Sequence, residues 1–395
     1  MKVLYLDKDS FCAEDFLEAL SRYRRGSEKT EIVRHPFSNA GERENPTVEQ
    51  TLSQAIQKEQ PDFLFSFNYY PLVSNVAKRE KVLYVSWVYD NPQSALYSYT
   101  MINAYNRVFL FDSGMAAELQ RNAIPHVYYL PLAASVRRLD GVKISAADHE
   151  KYDVEVSFVG SLYTEEHDFF DRMCERLDPE TKGYLWGLMR AQQQVYGMDL
   201  MRPALSGEVL DAMFSALPLQ PRSDSVETRE YLYDDYVLSR KLTSVERTEY
   251  LLTIGKSHPV SVYTKDAGFF GKGITNKGMV LYYTEMPLVF KCSEINLNIS
   301  LRSIRDGIPL RCFDIMGAGG FLLTNFQSDL LRFFEPDKDF VYFESEADLL
   351  AKVDYYLTHP EEREAIAQNG YQKIREKHTF DHRVAEMMQV LQNDL

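Results

Sequence analysis

The chain has 395 residues, 45% of them hydrophobic and 26% charged, with a formal net charge of −14. That balance excludes a disordered or fibrous chain, and the length predicts two or three soluble domains. The negative charge excludes the footprint of a general nucleic-acid binder and any overall attraction to anionic membranes.

Taken in chain order, short apolar runs stand at Lys2–Leu6, Glu31–Val33, Asp62–Phe67, Val82–Trp87, Arg107–Phe111 and Val127–Leu130. Helical patterns lie between them at Ala13–Arg24, Val48–Glu59 and Met115–Asn122. Strands alternating with helices of this length predict βαβ units and a parallel, doubly wound sheet over residues 1–135. Residues 136–153 are polar and carry Arg137, Arg138, Lys143 and Lys151, so they read as a linker. A second strand series opens at Val154–Val159, and from Glu165 to Lys256 the pattern is almost wholly helical. Strand signals return at Val260–Tyr263, Leu288–Phe290, Ile295–Ile299, Gly320–Leu323 and Phe340–Phe343. The expected second domain is therefore 154–378, followed by a C-terminal helix, 379–395, that could pack back on the first domain. The fold class expected is α/β, with two Rossmann-like domains facing a cleft and a helical elaboration of the second. Ligands of open α/β sheets bind beyond the carboxyl ends of the strands.

No apolar run approaches the roughly 18–20 residues of a membrane span, and the N-terminus lacks the long apolar core of a signal peptide. Cys12, Cys174, Cys292 and Cys312 are far apart and form no CxxC, which suits a reduced, cytoplasmic setting. His378 and His382 have a metal-like spacing but no third ligand nearby, and a helix start explains them better. Asp7-Lys8-Asp9 and Asp337-Lys338-Asp339 match a DxD pattern, yet their positions do not favour a metal, and no metal is expected.

The richest stretch runs from Ile295 to Thr324. A strand ends near Ser300, and a polar loop with Arg302 and Arg305 follows. Gly307 allows close backbone approach, Pro309 suits a helix start, and Gly317, Gly319 and Gly320 close that helix. A helix N-terminus beside Arg302 and Arg311 is a ready anion site. Asp306 and Asp314 bracket this region. They could accept hydrogen bonds from sugar or ribose hydroxyls, or Asp306 could cap the helix while Asp314 is solvated.

The run Asp306-Gly-Ile-Pro-Leu-Arg-Cys-Phe-Asp314-Ile-Met-Gly-Ala-Gly-Gly resembles the E-x7-E region of GT-B glycosyltransferases, with Asp at both ends. The wider set is similar to the CgeB-like (spore maturation protein) glycosyltransferase family. It comprises Glu285-Met286-Pro287, Ile295-Asn296-Leu297-Asn298-Ile299-Ser300, Gly307–Arg311 and Phe321–Asn325, with Trp87-Val-Tyr-Asp90-Asn-Pro92 in the first domain. The resemblance implies a GT-B fold that binds a nucleotide diphosphate sugar in the second domain, UDP being the expected nucleotide. The acceptor is unknown, and no cofactor or metal is needed. Carried onto this chain, it places Asp314 at the ribose, Asp306 at the donor sugar, and the backbone at Gly160, Ser161 and Gly307 near the diphosphate. Arg302 and Arg311 would meet the leaving charge. Met286, Asn298 and Ser300 fall within the same donor-binding set.

One departure stands out. Many such enzymes hold the diphosphate with an Arg and a Lys just after the first strand of the second domain, where this chain reads Gly160-Ser161-Leu162-Tyr163-Thr164-Glu165. Arg302, Arg311, Lys241 or Lys272 would have to take that role, unless it is lost; for Lys241 and Lys272 surface charge is the competing reading. In the first domain, Asp90 follows the fourth strand and is either the base that takes the acceptor proton or a helix cap. Trp87, Tyr89 and Pro92 would shape its surroundings and offer faces for a sugar to pack on. Asp112 reads as a cap. A nucleotide-sugar epimerase on the same fold and a non-catalytic sugar- or nucleotide-binding surface-layer protein remain the alternatives.

Overall fold

The computed structural model describes residues 1–38, 42–164 and 168–392. It divides into two units, the first comprising residues 1–133, 222–227 and 378–395 and the second residues 134–221 and 228–377.

Unit 1 is built on six parallel strands: β1 (Lys2–Asp7), β2 (Glu31–Pro36), β3 (Phe63–Phe67), β4 (Leu83–Val88), β5 (Asn106–Leu110) and β6 (Val127–Tyr129). They lie in the order β2-β1-β3-β4-β5-β6. The central strands β3 and β5 are buried throughout, as a parallel sheet covered on both faces requires. One face is filled by aliphatic side chains around Leu64, Val73, Val76 and Val108. On the other, Phe16 stacks on Phe65 at 4.4 Å between centroids, with Phe67 and Trp87 beside it. Trp87 is fully buried and donates from Nε1 to the Leu130 carbonyl, so it presents no face to a sugar, contrary to the sequence expectation.

The C-terminal helix, Phe380–Leu391, belongs to unit 1. Asp381 accepts two hydrogen bonds from Arg22 (3.0 and 2.8 Å), and the buried Arg383 donates to the carbonyls of Pro131 and Leu132. His382 closes the helix start through Nδ1 against Thr379, which accounts for the histidine spacing. Residues 222–227 join the same unit: Asp224 receives Arg43 at 2.9 Å, and its carbonyl accepts from the Tyr99 amide. Nothing in the sequence pattern marked that excursion.

Unit 2 has a second parallel sheet of β7 (Val154–Val159), β8 (Val260–Tyr263), β9 (Ile274–Asn276), β10 (Ser293–Asn298), β11 (Leu322–Asn325) and β12 (Val341–Phe343). The order is β9-β8-β7-β10-β11-β12, so the winding reverses between β7 and β10. Leu288–Phe290, expected as a strand, instead lies in the helix Met286–Cys292, which Pro287 opens in its first turn. The segment 136–153, expected as a linker, folds within unit 2 as the helices Val136–Gly141 and Ala146–Tyr152, the latter closed by a Ser145/Asp148 capping box.

The helical stretch between β7 and β8 has its own apolar cluster, with Phe170, Leu185, Met189, Met213, Tyr233 and Leu242. A single turn of π-helix, Asp234–Leu238, interrupts it before the helix Ser239–Ile254. No helix among the described residues is long and apolar enough to cross a membrane.

Candidate active site

In a doubly wound sheet the crevice opens where the strand order reverses, beyond the carboxyl ends of the strands. In unit 2 that point lies between Val159, at the end of β7, and Asn298, at the end of β10. Gly160 and Ser161 follow the first strand; Ile299 and Ser300 follow the second. Arg247 spans the gap: its Nε donates to the Ile299 carbonyl at 3.0 Å and its Nη1 to the Ser161 carbonyl at 2.5 Å. Its guanidinium lies over the Phe158 and Tyr163 rings. Among the described residues no carboxylate pairs with it, so a buried, permanently charged group faces neutral carbonyls.

Sequence reasoning passed over Arg247. The signal was present, because positions 247, 250, 251 and 254 form the buried stripe of the helix Ser239–Ile254, and an arginine occupies the first of them.

Arg311 comes to the same place from the helix Leu310–Gly317. Its Nε donates to the Val159 carbonyl (3.2 Å), its Nη1 approaches the Met286 sulfur, and the same nitrogen meets Asp314 Oδ2 at 3.3 Å. Its charge bears on Arg247. Asp314 is buried, and its other oxygen accepts from the Tyr282 hydroxyl at 3.1 Å. Gly160 has no room to spare, since an added Cβ would stand 3.3 Å from the Phe158 ring. Gly160, Ser161, Met286, Arg311 and Asp314 thus gather at the switch point, with Arg247 added to them. Asn298 and Ser300 support the floor: Asn298 Nδ2 donates to Ser300 Oγ and Thr324 Oγ1, and the Ser300 amide donates to Asn325 Oδ1.

Asp306 and Gly307 lie in the loop before the helix. Asp306 does not cap it, since Pro309 holds the cap position; its Oδ1 accepts from the Ser328 hydroxyl.

Three basic residues from the expected set are placed elsewhere. Arg302 is buried and paired with Glu246, and its remaining donors go to the carbonyls of Gln193 and Val195. It ties the helical elaboration to the β10 loop, and its charge is already matched there by Glu246. Its neighbour Arg305 is likewise engaged, by Asp199, Asp234 and Asp235. Lys241 bridges Asp168 and Asp171 at 3.0 and 2.7 Å. Lys272 donates to the Lys256 carbonyl. β9 runs parallel to β8, so the loop doubles back and leaves Lys272 at the amino edge of the sheet, away from the crevice. Of the DxD candidates, Asp7 pairs with Arg34, and Asp339 accepts from the Glu335 amide and Lys373.

Unit 1 reverses its winding between β1 and β3, and polar groups converge there too. Asn68 follows β3 in a left-handed conformation (φ 62°) that Asn tolerates. Its Oδ1 accepts from the amides of Tyr89 and Asp90, and its Nδ2 donates to Asp90 Oδ2 at 2.6 Å. Lys8, after β1, donates to the Tyr70 hydroxyl at 3.0 Å and lends Asp90 its charge. Asp90 caps no helix, since Gln93 stands at the start of the short helix beyond it. Asp90 keeps contact with solvent, yet neighbouring atoms strip its carboxylate of hydration. That desolvation raises its pKa, against the opposing pull of Asn68 and Lys8. Asp112 is a cap, accepting from the Met115 amide at 3.0 Å.

Residues 247–389 match a glycosyl transferase-like family. No curated protein matches the chain by sequence. Solved structures similar to it include Anabaena Alr3699/HepE in complex with UDP-glucose (TM-score 0.57, 10% identity, 100% of both chains). A glycosyltransferase from Rickettsia africae gives a TM-score of 0.55 at 9% identity, over 99% of this chain and 98% of that one. Sucrose-phosphate synthase from Thermosynechococcus elongatus gives 0.53 at 11%, over 100% and 98%. Two doubly wound parallel sheets and these likenesses establish a GT-B fold, and the family match over its second half supports a glycosyltransferase.

Proposed function

We propose that the protein transfers a hexosyl group from a UDP-sugar to a hydroxyl acceptor, in the manner its CgeB-like motifs suggest. The observation that carries this reading is the pair Arg247 and Arg311 at the switch point of unit 2, beside Gly160 and the buried Asp314. Two fixed guanidinium groups there suit a diphosphate, and they supply the charge needed as it leaves without a metal or further cofactor. They take the place of the Arg–Lys pair missing after β7. Asp314 can accept the ribose hydroxyls, since a carboxylate holding two donors still has lone-pair sites free. Asp306 would bind the donor sugar. The four free cysteines fit a cytoplasmic enzyme. Incubation with UDP should raise the melting temperature and UDP-glucose should be slowly hydrolysed. Calorimetric scans over a panel of nucleotides check this, and no shift with any of them would sink the reading.

Asp90 acts as the base for the acceptor hydroxyl in this scheme. A base works ionised, so kcat/KM should fall as pH drops through its raised pKa. Asn68→Ala removes the hydrogen bond that favours the ionised form, so the acid limb should move to still higher pH. A pH–rate profile of the variant tests this, and an unmoved limb would assign proton transfer to another group.

A further inference from the structure

The amino edge of the sheet in unit 2, opposite the crevice, holds a group of side chains that the scheme above does not use. β7 and β10 lie side by side in parallel register, with Val154 opposite Ser293. The residues just before them, Asp153 and Cys292, are therefore brought together by strand pairing, although they are far apart in the sequence. His149 stands one turn back on the helix Ala146–Tyr152 that feeds β7, and its Nδ1 lies 2.9 Å from Asp153 Oδ1. His149 Nδ1, an Asp153 carboxylate oxygen and the Cys292 sulfur all lie within 4.8 Å of one another. Among the described residues no other group of three such side chains converges in this way.

The donor set narrows the choice of ligand. An imidazole, a carboxylate and a thiol together suit zinc and similar borderline-soft divalent cations, whereas magnesium and calcium take oxygen ligands. Tetrahedral zinc, with bonds of about 2.0–2.3 Å, spaces its ligand atoms by roughly 3.3–3.8 Å, so shifts of about an ångström would seat it. The side chains of His149 and Asp153 are 56% and 57% exposed while Cys292 is buried, so an ion can enter from solvent and meet the sulfur at the base. The local field favours a cation as well. Burial is the main cause that pushes the Cys292 thiol up to about 11, and the carboxylates of Asp153 and Asp148 add to it, outweighing Lys291. Lys291 itself donates to the carbonyls of Leu139 and Val142.

We propose that His149, Asp153 and Cys292 bind one divalent cation of the zinc class, with water in the fourth position. Bonds form to the ion from His149 Nδ1, an Asp153 oxygen and the Cys292 sulfur, and the thiol proton passes to solvent. The ion pins the starts of β7 and β10, the two strands whose far ends frame the crevice. The six residues of β7 span roughly 20 Å at about 3.3 Å each, so the ion takes no part in chemistry at the crevice. The site does not depend on the nucleotide-sugar reading. The test is titration of the untagged, reduced full chain with Zn²⁺ by calorimetry and with Co²⁺ by absorption. One equivalent should bind, and the cobalt form should show a thiolate-to-metal charge-transfer band in the near ultraviolet. Cys292→Ser should abolish that band, whereas Cys174→Ser, at the half-buried cysteine elsewhere in the unit, should keep it. His149→Ala, at an exposed side chain, should weaken Zn²⁺ binding about tenfold or more, since losing even a supporting partner costs that much, and it decides the matter if Cys292→Ser does not fold. Zn²⁺ should raise the urea midpoint of the wild type more than that of His149→Ala, because the three ligands meet only in the folded chain. Failure of both ions to bind saturably, a cobalt complex without the thiolate band, a band that survives in Cys292→Ser, or unchanged affinity in an intact His149→Ala would overturn the proposal.

Discussion

Arg302→Met should destabilise unit 2 by about 3–5 kcal/mol, because it leaves a buried charge without its partner. Glu246 is 1% exposed, and among the described residues Arg302 is the hydrogen-bonding partner of its carboxylate, with the charge of Arg247 a weaker influence. Burial already raises the Glu246 pKa against the opposing pull of Arg302, and without that pull it should rise further. A carboxyl whose folded pKa lies above its unfolded value binds protons more tightly in the native state. Stability is therefore fullest at acid pH and falls as pH rises through the raised value. The penalty in Arg302→Met should shrink toward acid pH and be complete above it. Arg302→Met combined with Glu246→Leu should recover most of the loss, since an apolar pair can replace a buried ion pair at little cost. Urea midpoints for the three variants across pH test this. A variant that keeps its midpoint but loses turnover would return Arg302 to the catalytic role its sequence position suggested.

Arg311→Ala should lower turnover by about 10²–10³-fold, the effect of removing one preorganised donor from a developing negative charge (roughly 2.7–4 kcal/mol). Its side chain is 25% exposed and its contacts are a carbonyl, a sulfur and the buried Asp314, which loses a cation in the variant, so a loss of stability should accompany the loss of rate and is read separately from urea midpoints. Asp314 retains the Tyr282 hydroxyl. Arg311→Lys should recover only part of the rate, because a lysine cannot reproduce the planar fork that reaches Val159 and Asp314 together. Steady-state transfer with a UDP-sugar, separating kcat from KM, measures both. Unchanged kcat in Arg311→Ala would remove the arginine pair from the chemistry.

The secondary structure that carries the site was legible in the sequence. β1 to β8 and β10 to β12 follow apolar runs seen in the chain; the central strands are apolar along their length because they are covered on both faces, while the edge strand β2 offers only Ile32 and Val33. β9 was missed; Ile274–Asn276 offers only three residues, one of them apolar. The helix at Leu310 and the position of Asp314 were also readable, from the Gly307-Ile-Pro309 entry and the glycines beyond. The roles of the basic residues were not. Arg302 sits in the motif loop, as far as local pattern goes, in the same manner as Arg311, yet one is buried against Glu246 and the other lies at the crevice.

By itself, then, the sequence determined the two parallel α/β units, the strand ends that frame a crevice, and the carboxylates Asp90 and Asp314 beside those ends. These follow from local apolar pattern and turn chemistry, which act over a few residues. Only the tertiary structure decided which cations are available. Glu246 meets Arg302 across 56 positions, Asp168 meets Lys241 across 73, and Arg247 reaches the Ser161 carbonyl across 86. A charge is neutralised by whatever the fold brings within hydrogen-bonding distance, and that pairing is set by strand order and helix packing, which no local stretch of the chain encodes.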